Sequence, residues 1–154
     1  MTEAQIALAR RAVAAPGWRW LPGMAAIGRN GAKWRLYMGS GGVLCAQGEG
    51  DAGGYVAGWS NEWAEILGAL PDLSDPLTAL GLLALVRERW GTTAHLVRFD
   101  TNVDDGEGGT KPACWWALAV GLASRPFQRW DGRLRYIAAP TEVEVLVLAL
   151  EVAP

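Results

Sequence analysis

This chain of 154 residues predicts an α+β fold, a mostly antiparallel sheet covered by helices in a single-domain sandwich. Three observations carry the prediction. The segment 71–91, PDLSDPLTALGLLALVRERWG, has helix boundaries at both ends and an apolar run between them. Asn30-Gly31 and Asp131-Gly132 each stand between apolar runs, a strong hairpin signal. Thr2 with Gln5, and Thr141 with Glu144, place capping boxes near the two ends of the sequence.

The capping box at Thr2 opens a helix whose apolar face carries Ile6, Ala9 and Val13, and which stops before Pro16-Gly17. Residues 18–23, WRWLPG, form a rigid connector. Strands at 24–28 and 33–38 flank the Arg29-Asn30-Gly31-Ala32 turn. In the second strand Trp34, Leu36 and Met38 alternate with Lys33, Arg35 and Tyr37, so one face is expected buried and the other wet. Gly39-Ser40-Gly41-Gly42 turns into a third strand, 43–47, followed by a flexible loop at 48–54 and a short strand within 55–59. A helix over 61–70 places Trp63, Leu67 and Leu70 at helical spacing.

The central helix follows. Asp75 is its N-cap, Pro76 its first residue, and Gly91 suits a left-handed terminator. Leu77, Leu80, Leu82, Leu83, Leu85 and Val86 surround the helical wheel, which predicts burial on more than one side. Residues 95–100 read as a strand, 100–111 as an acidic, Gly-rich loop, and 113–123 as a strand apolar on both faces. The small face of that last strand (Ala117, Ala119, Gly121) is the expected seat of the central helix. A hairpin between 127–130 and 133–138 and a helix from Thr141 to about Glu151 complete the chain. VEVLVLALEV is rich in β-branched residues and could also form a strand; the capping box favours helix.

Composition bounds function. With 14 Lys+Arg against 16 Asp+Glu, net charge −2, the chain lacks the basic surface that general nucleic-acid binding needs, so no nucleic-acid polymer is expected as partner. The central segment is too short to span a membrane, no signal peptide is visible, and a cytoplasmic location is expected. Cys45 and Cys114 lie in apolar contexts without metal-ligand spacing; buried free thiols are expected, with a disulfide between them the alternative. Residues 100–104, DTNVD, begin like a calcium loop, but Asp105 stands where Gly is needed and Lys111 where Glu is needed. Residues 39–42 lack the following helix that a phosphate loop requires. His95 is the one histidine, which excludes paired-histidine chemistry, and a structural strand histidine is the expectation. No cofactor is expected.

Three stretches, WRWLPGM (18–24), LPDLSDPLTALGLLALVRERWG (70–91) and TEVEVLVLALEVAP (141–154), resemble a group of small bacteriophage and prophage proteins. The order of elements is loosely similar to phage α-β-α sandwich domains. The resemblance covers about a third of the chain. It implies a phage origin and an Ala-rich type of C-terminal helix, and it implies no catalytic residue.

The outlying feature is nine Trp, several interleaved with arginine. Trp18-Arg19-Trp20, Trp34-Arg35, and Arg125, Arg129, Trp130, Arg133 and Arg135 repeat the theme. Arginine forks suit phosphates and aromatic faces suit bases, so Trp18, Arg19, Trp20, Arg125, Arg129, Trp130, Arg133 and Arg135 are the candidate ligand-binding residues. The competing explanation is that these tryptophans are core and rim, with arginines stacked on them. The sequence thus leads to a phage-encoded accessory protein without catalytic activity, binding a small phosphorylated or nucleotide-type ligand; a pocket of two aromatics and two arginines would fit it. The alternative is a host-protein inhibitor or a structural homo-oligomer, which predicts an exposed apolar patch of several hundred Å².

Overall fold

Thr2 caps the first helix, α1 (Glu3–Ala14), through the reciprocal bonds its sequence requires: Gln5 N donates to Thr2 Oγ1 and Thr2 N to Gln5 Oε1. The computed structural model describes residues 1–50, 54–104, 110–119 and 137–153. Its elements are α1, β1 (Ala25–Ile27), β2 (Lys33–Met38), β3 (Leu44–Gly48), β4 (Tyr55–Ala57), α2 (Asn61–Leu67), β5 (Leu70–Pro71), α3 (Pro76–Trp90), β6 (His95–Asp104), β7 (Thr110–Ala119), β8 (Ala138–Ala139) and α4 (Glu142–Glu151). The fold is α+β, with antiparallel strands arranged in two sheets, β4-β3-β2-β1-β5 and β6-β7-β8. Two compact units, Met1–Leu85 and Val86–Pro154, divide the chain within α3.

In the first unit the Asn30-Gly31 hairpin forms as its sequence demands. Ala25 pairs with Arg35 and Ile27 with Lys33, and Gly31 takes the positive φ of 82° that the turn needs. β3 continues the ladder, with Leu36 opposite Ala46 and Tyr37 opposite Cys45. Leu36 is buried, as the alternation predicts, beside Ala26 and Ala46, whereas Trp34, expected on the same buried face, is half-buried. Met38, expected on that face, is exposed at the strand's end. α1 lies against β5 through a face that buries Ala9 and Ala12.

The second helix is shorter than its sequence pattern suggests. Gly68 adopts a left-handed conformation (φ 58°) and closes α2, so Leu70 joins β5 opposite Ile27 instead of extending the helix. Trp63, expected on the apolar face, is exposed, as is Ile66, while Ala64 is buried.

α3 begins where Asp75 and Pro76 place it. Asp75 Oδ1 accepts the Thr78 amide (2.9 Å), and the approach is shaped by Asp72, whose Oδ1 accepts from Ser74 N (3.1 Å) and Ser74 Oγ (2.5 Å). Thr78, fully buried, accepts from Ala25 N (2.9 Å), tying the helix to the sheet. Leu82, Leu85 and Val86 are buried as expected, whereas Leu77 and Leu80, one turn apart, are exposed. Apolar residues all round the wheel therefore do not bring burial all round.

In the second unit β6 and β7 pair from His95 opposite Ala119 to Asp104 opposite Thr110. The calcium-like stretch 100–104 and the start of the predicted loop thus belong to a strand ladder. α4, opened by the Thr141–Glu144 capping box, is a helix despite its β-branched residues, and it packs against β7 and β8. Trp90 at the end of α3 donates its Nε1 to Ala149 O (2.9 Å), and Val145, Leu146, Val147, Ala149 and Leu150 are buried. The predicted hairpin around Asp131-Gly132 and the strand beyond Ala119 lie outside the described residues.

Candidate functional site

The β1–β2 turn is clamped locally before it meets anything else. Gly28 N donates to Ala32 O (2.8 Å), Gly31 N to Gly28 O (2.9 Å), and Ala32 N to Asn30 Oδ1 (3.1 Å). The turn then docks on the end of α2, where Arg29 N donates to Leu67 O (3.2 Å). The Arg29 side chain runs over Gly68, so closely that a Cβ there would lie 2.9 Å from its Nε. Its positive charge thereby sits at the negative end of the helix, a favourable place for a cation. Beyond this the guanidinium is exposed and has no ion-pair partner among the described residues.

Between the turn and the helix end lies a hollow of about 330 Å³, lined by Arg29, Asn30 and Trp34 on the sheet side and Ile66 and Leu67 on α2. Ile66, on its rim, is 65% exposed. Trp34 is the outer member of a chain of indoles. Its ring lies 6.0 Å from Trp59; Trp59 meets Trp20 edge to face at 5.7 Å and 89°; Trp20 meets Trp18 at 5.5 Å and 76°. Such geometry aims the positive rim of one ring at the negative face of the next. The Nε1 atoms of Trp18, Trp20 and Trp59 are buried without a hydrogen-bond partner among the described residues, and indole nitrogen is a donor only.

Trp18 and Trp20 are thus interior, 7% and 5% exposed, and of their triplet only Arg19 is at the surface, already engaged in an interaction. Arg35, next to Trp34, is held by Asp75. Arg125, Arg129, Trp130, Arg133 and Arg135 lie outside the described residues. The arginine that the fold brings beside a tryptophan is Arg29, which the sequence showed only as a turn residue. The hollow therefore holds one arginine and one tryptophan, where the sequence reading called for two of each.

Elsewhere Cys45 and His95 have structural partners. Cys45 is free and buried, and it accepts a hydrogen bond from the Tyr55 hydroxyl (3.4 Å). That bond, followed by the negative charge the sulfur would carry, pushes the Tyr55 phenol up to about 12. Cys114 is free and half-buried. His95, half-buried on β6, has its Nδ1 2.9 Å from Thr93 O. Among the described residues no cluster of three or more His, Cys, Asp or Glu is placed to hold a metal ion, and no helix is long and apolar enough to cross a membrane. Compared with protein-family models, curated proteins and solved structures, the chain matches none.

Proposed function

We propose that the chain is a non-catalytic binding protein whose hollow at Arg29 and Trp34 receives a small phosphorylated ligand of the nucleotide type. The observation that carries this reading is an exposed guanidinium, without an ion-pair partner among the described residues, sharing one concavity with a tryptophan ring. A guanidinium fork suits phosphate oxygens, and an indole face suits a base of any sequence. The volume, about 330 Å³, falls at the lower end of small-molecule sites. Leu67 and Ile66 add an apolar wall. A phage-encoded accessory protein that sequesters a host nucleotide signal is the role that the sequence resemblance suggests for such a site.

The test is a thermal-shift panel read by intrinsic Trp fluorescence, with cyclic di- and trinucleotides, ADP-ribose derivatives and plain nucleotides. A ligand present at a hundred times its Kd stabilises by about 2.7 kcal/mol and raises Tm visibly. The expected hit is lost in Arg29→Ala and weakened in Trp34→Leu. A flat panel, or a hit that both variants keep, overturns the reading.

A further inference from the structure

Every polar side chain that lines the Arg29 hollow is available to a ligand as a donor. A guanidinium can only donate, and so can the indole nitrogen of Trp34. Asn30 could do both, but its Oδ1 already accepts the Ala32 amide (3.1 Å). That bond orients the carboxamide, and its Nδ2 has no partner among the described residues. Three carbonyls of the lining are engaged as well. Ala32 O accepts from Gly28 N, Gly28 O from Gly31 N, and Leu67 O from Arg29 N. The hollow therefore matches a ligand that brings acceptors to it.

Charge sets a second limit. Among the described residues Arg29 is the one cationic side chain that lines the hollow. Lys33, next to Trp34, points to the opposite face of β2, as alternation along a strand requires. The other wall, α2, carries Glu62 and Glu65 and no basic residue. Its C-terminal end is negative and already draws on the Arg29 charge. One positive charge, partly offset, balances one negative charge and not two. Size sets a third limit. A volume of about 330 Å³ leaves room for one base with its sugar phosphate, not for a pair.

We propose that the ligand of this hollow is a singly charged nucleotide, a cyclic nucleoside monophosphate, with its phosphodiester on Arg29 and its base against Trp34. The inference rests on the nucleotide reading above and narrows it. A phosphomonoester carries roughly −1.5 to −2 charges at neutral pH, so a plain mononucleotide leaves negative charge unbalanced in front of α2. A triphosphate leaves more. Closing the ester on its own sugar removes the excess charge. It also removes a hydroxyl donor, and it fixes the phosphate relative to the base, which lowers the ordering cost of binding.

Isothermal titration calorimetry of the full chain tests the proposal. The probes are the cyclic monophosphates, plain monophosphates and triphosphates of the four bases, a cyclic dinucleotide and a short single-stranded oligonucleotide. The internal phosphates of the oligonucleotide are also singly charged diesters, so this arm separates a free cyclic nucleotide from a nucleic-acid strand. A cyclic monophosphate should bind tightest, and the plain monophosphate of the same base about fivefold more weakly, the weight of one exposed charge pair. Arg29→Ala should lose both. Ile66→Lys adds a second cation on the exposed rim, at a helix end that favours one, and should narrow or reverse the preference. An unchanged preference in folded Ile66→Lys overturns the proposal. So does an Arg29-dependent hit in which the plain monophosphate, triphosphate, dinucleotide or oligonucleotide equals or exceeds the cyclic form, and the nucleotide reading then stands without it. If no nucleotide binds, both fall.

Discussion

Arg35 grips both carboxylate oxygens of Asp75, Nη1 to Oδ1 at 2.9 Å and Nη2 to Oδ2 at 2.8 Å. The same Asp75 caps α3 at the Thr78 amide, and the same Arg35 donates to Gly23 O (2.9 Å). One ion pair thus fastens strand β2 to the start of helix α3 and to the connector before β1. The arginine beside Trp34 is thereby committed to the fold. The neighbouring turn arginine, Arg29, is left for solvent or a ligand.

Asp75→Ala removes a cap, about 1 kcal/mol, and an ion pair whose half-buried arginine, 34% accessible, holds its share near another 1 kcal/mol. Asp75→Asn keeps the cap and should lose about half as much. The guanidinium of Arg35, and after it the Thr78 amide, hold the Asp75 carboxyl below its ordinary 3.8. Its contribution is therefore fully present above that ordinary value and disappears as pH falls through the lower folded one. Urea midpoints should show the advantage of wild type over Asp75→Asn at pH 7 and its decay below about pH 4. A gap that does not change with pH would remove the ion pair from the explanation.

The caps and turns of this fold are legible because they are local. Thr2, Asp75 and Thr141 each act on residues within one helical turn, and Asn30-Gly31 acts within its own hairpin. What depends on distant residues is not legible. Trp18 and Trp20 stack as readily in a core as on a ligand, and only the arrival of Trp59 decides between the two. Leu77 and Leu80 look like core because the helical wheel records composition and not what packs against it. Arg29 lines the hollow only because Leu67, far along the chain, accepts its amide. Hairpin signals identify neighbouring strands, but they do not say that the strands divide into two sheets.

Gly39 lies against Cys45, with a hypothetical Cβ only 2.6 Å from Sγ. Its φ of −80° suits any residue, so the constraint is steric alone. Gly39→Ala should destabilise by about 1–3 kcal/mol, and the loss should vanish in a Cys45→Ala background. Equal losses in both backgrounds would exclude the sulfur contact as the cause.

Tyr55 should ionise late. A spectrophotometric titration should place one phenol at about 12, and Cys45→Ala should return it toward 10.0. Because the folded value is raised, the interaction stabilises fully below the ordinary value and is lost as pH rises through the folded one. A Tyr55 phenol that titrates near 10.0 would show that the Tyr55–Cys45 bond does not form in solution.

Gly81 sits in the middle of α3, where alanine is the better helix former by about 1 kcal/mol. A Cβ at that position would overlap Met24 Cε and lie 2.9 Å from Cγ. Met24 has little room to yield: it is fully buried, its carbonyl accepts from Leu36 N (2.9 Å), and its sulfur accepts from Leu21 N (3.4 Å). Overpacking of this kind typically costs about 1–3 kcal/mol, which exceeds or offsets the gain in propensity. Gly81→Ala should therefore lower the urea midpoint despite improving the helix. Met24→Ala alone should lose more, about 2–5 kcal/mol, by leaving a cavity. In that cavity-bearing background the added methyl finds space, and Gly81→Ala should become neutral or stabilising by up to about 1 kcal/mol. The reversal of sign between the two backgrounds is the signature of direct contact. A Gly81→Ala that stabilises the wild-type chain would mean that α3 stands farther from Met24 than the structure places it.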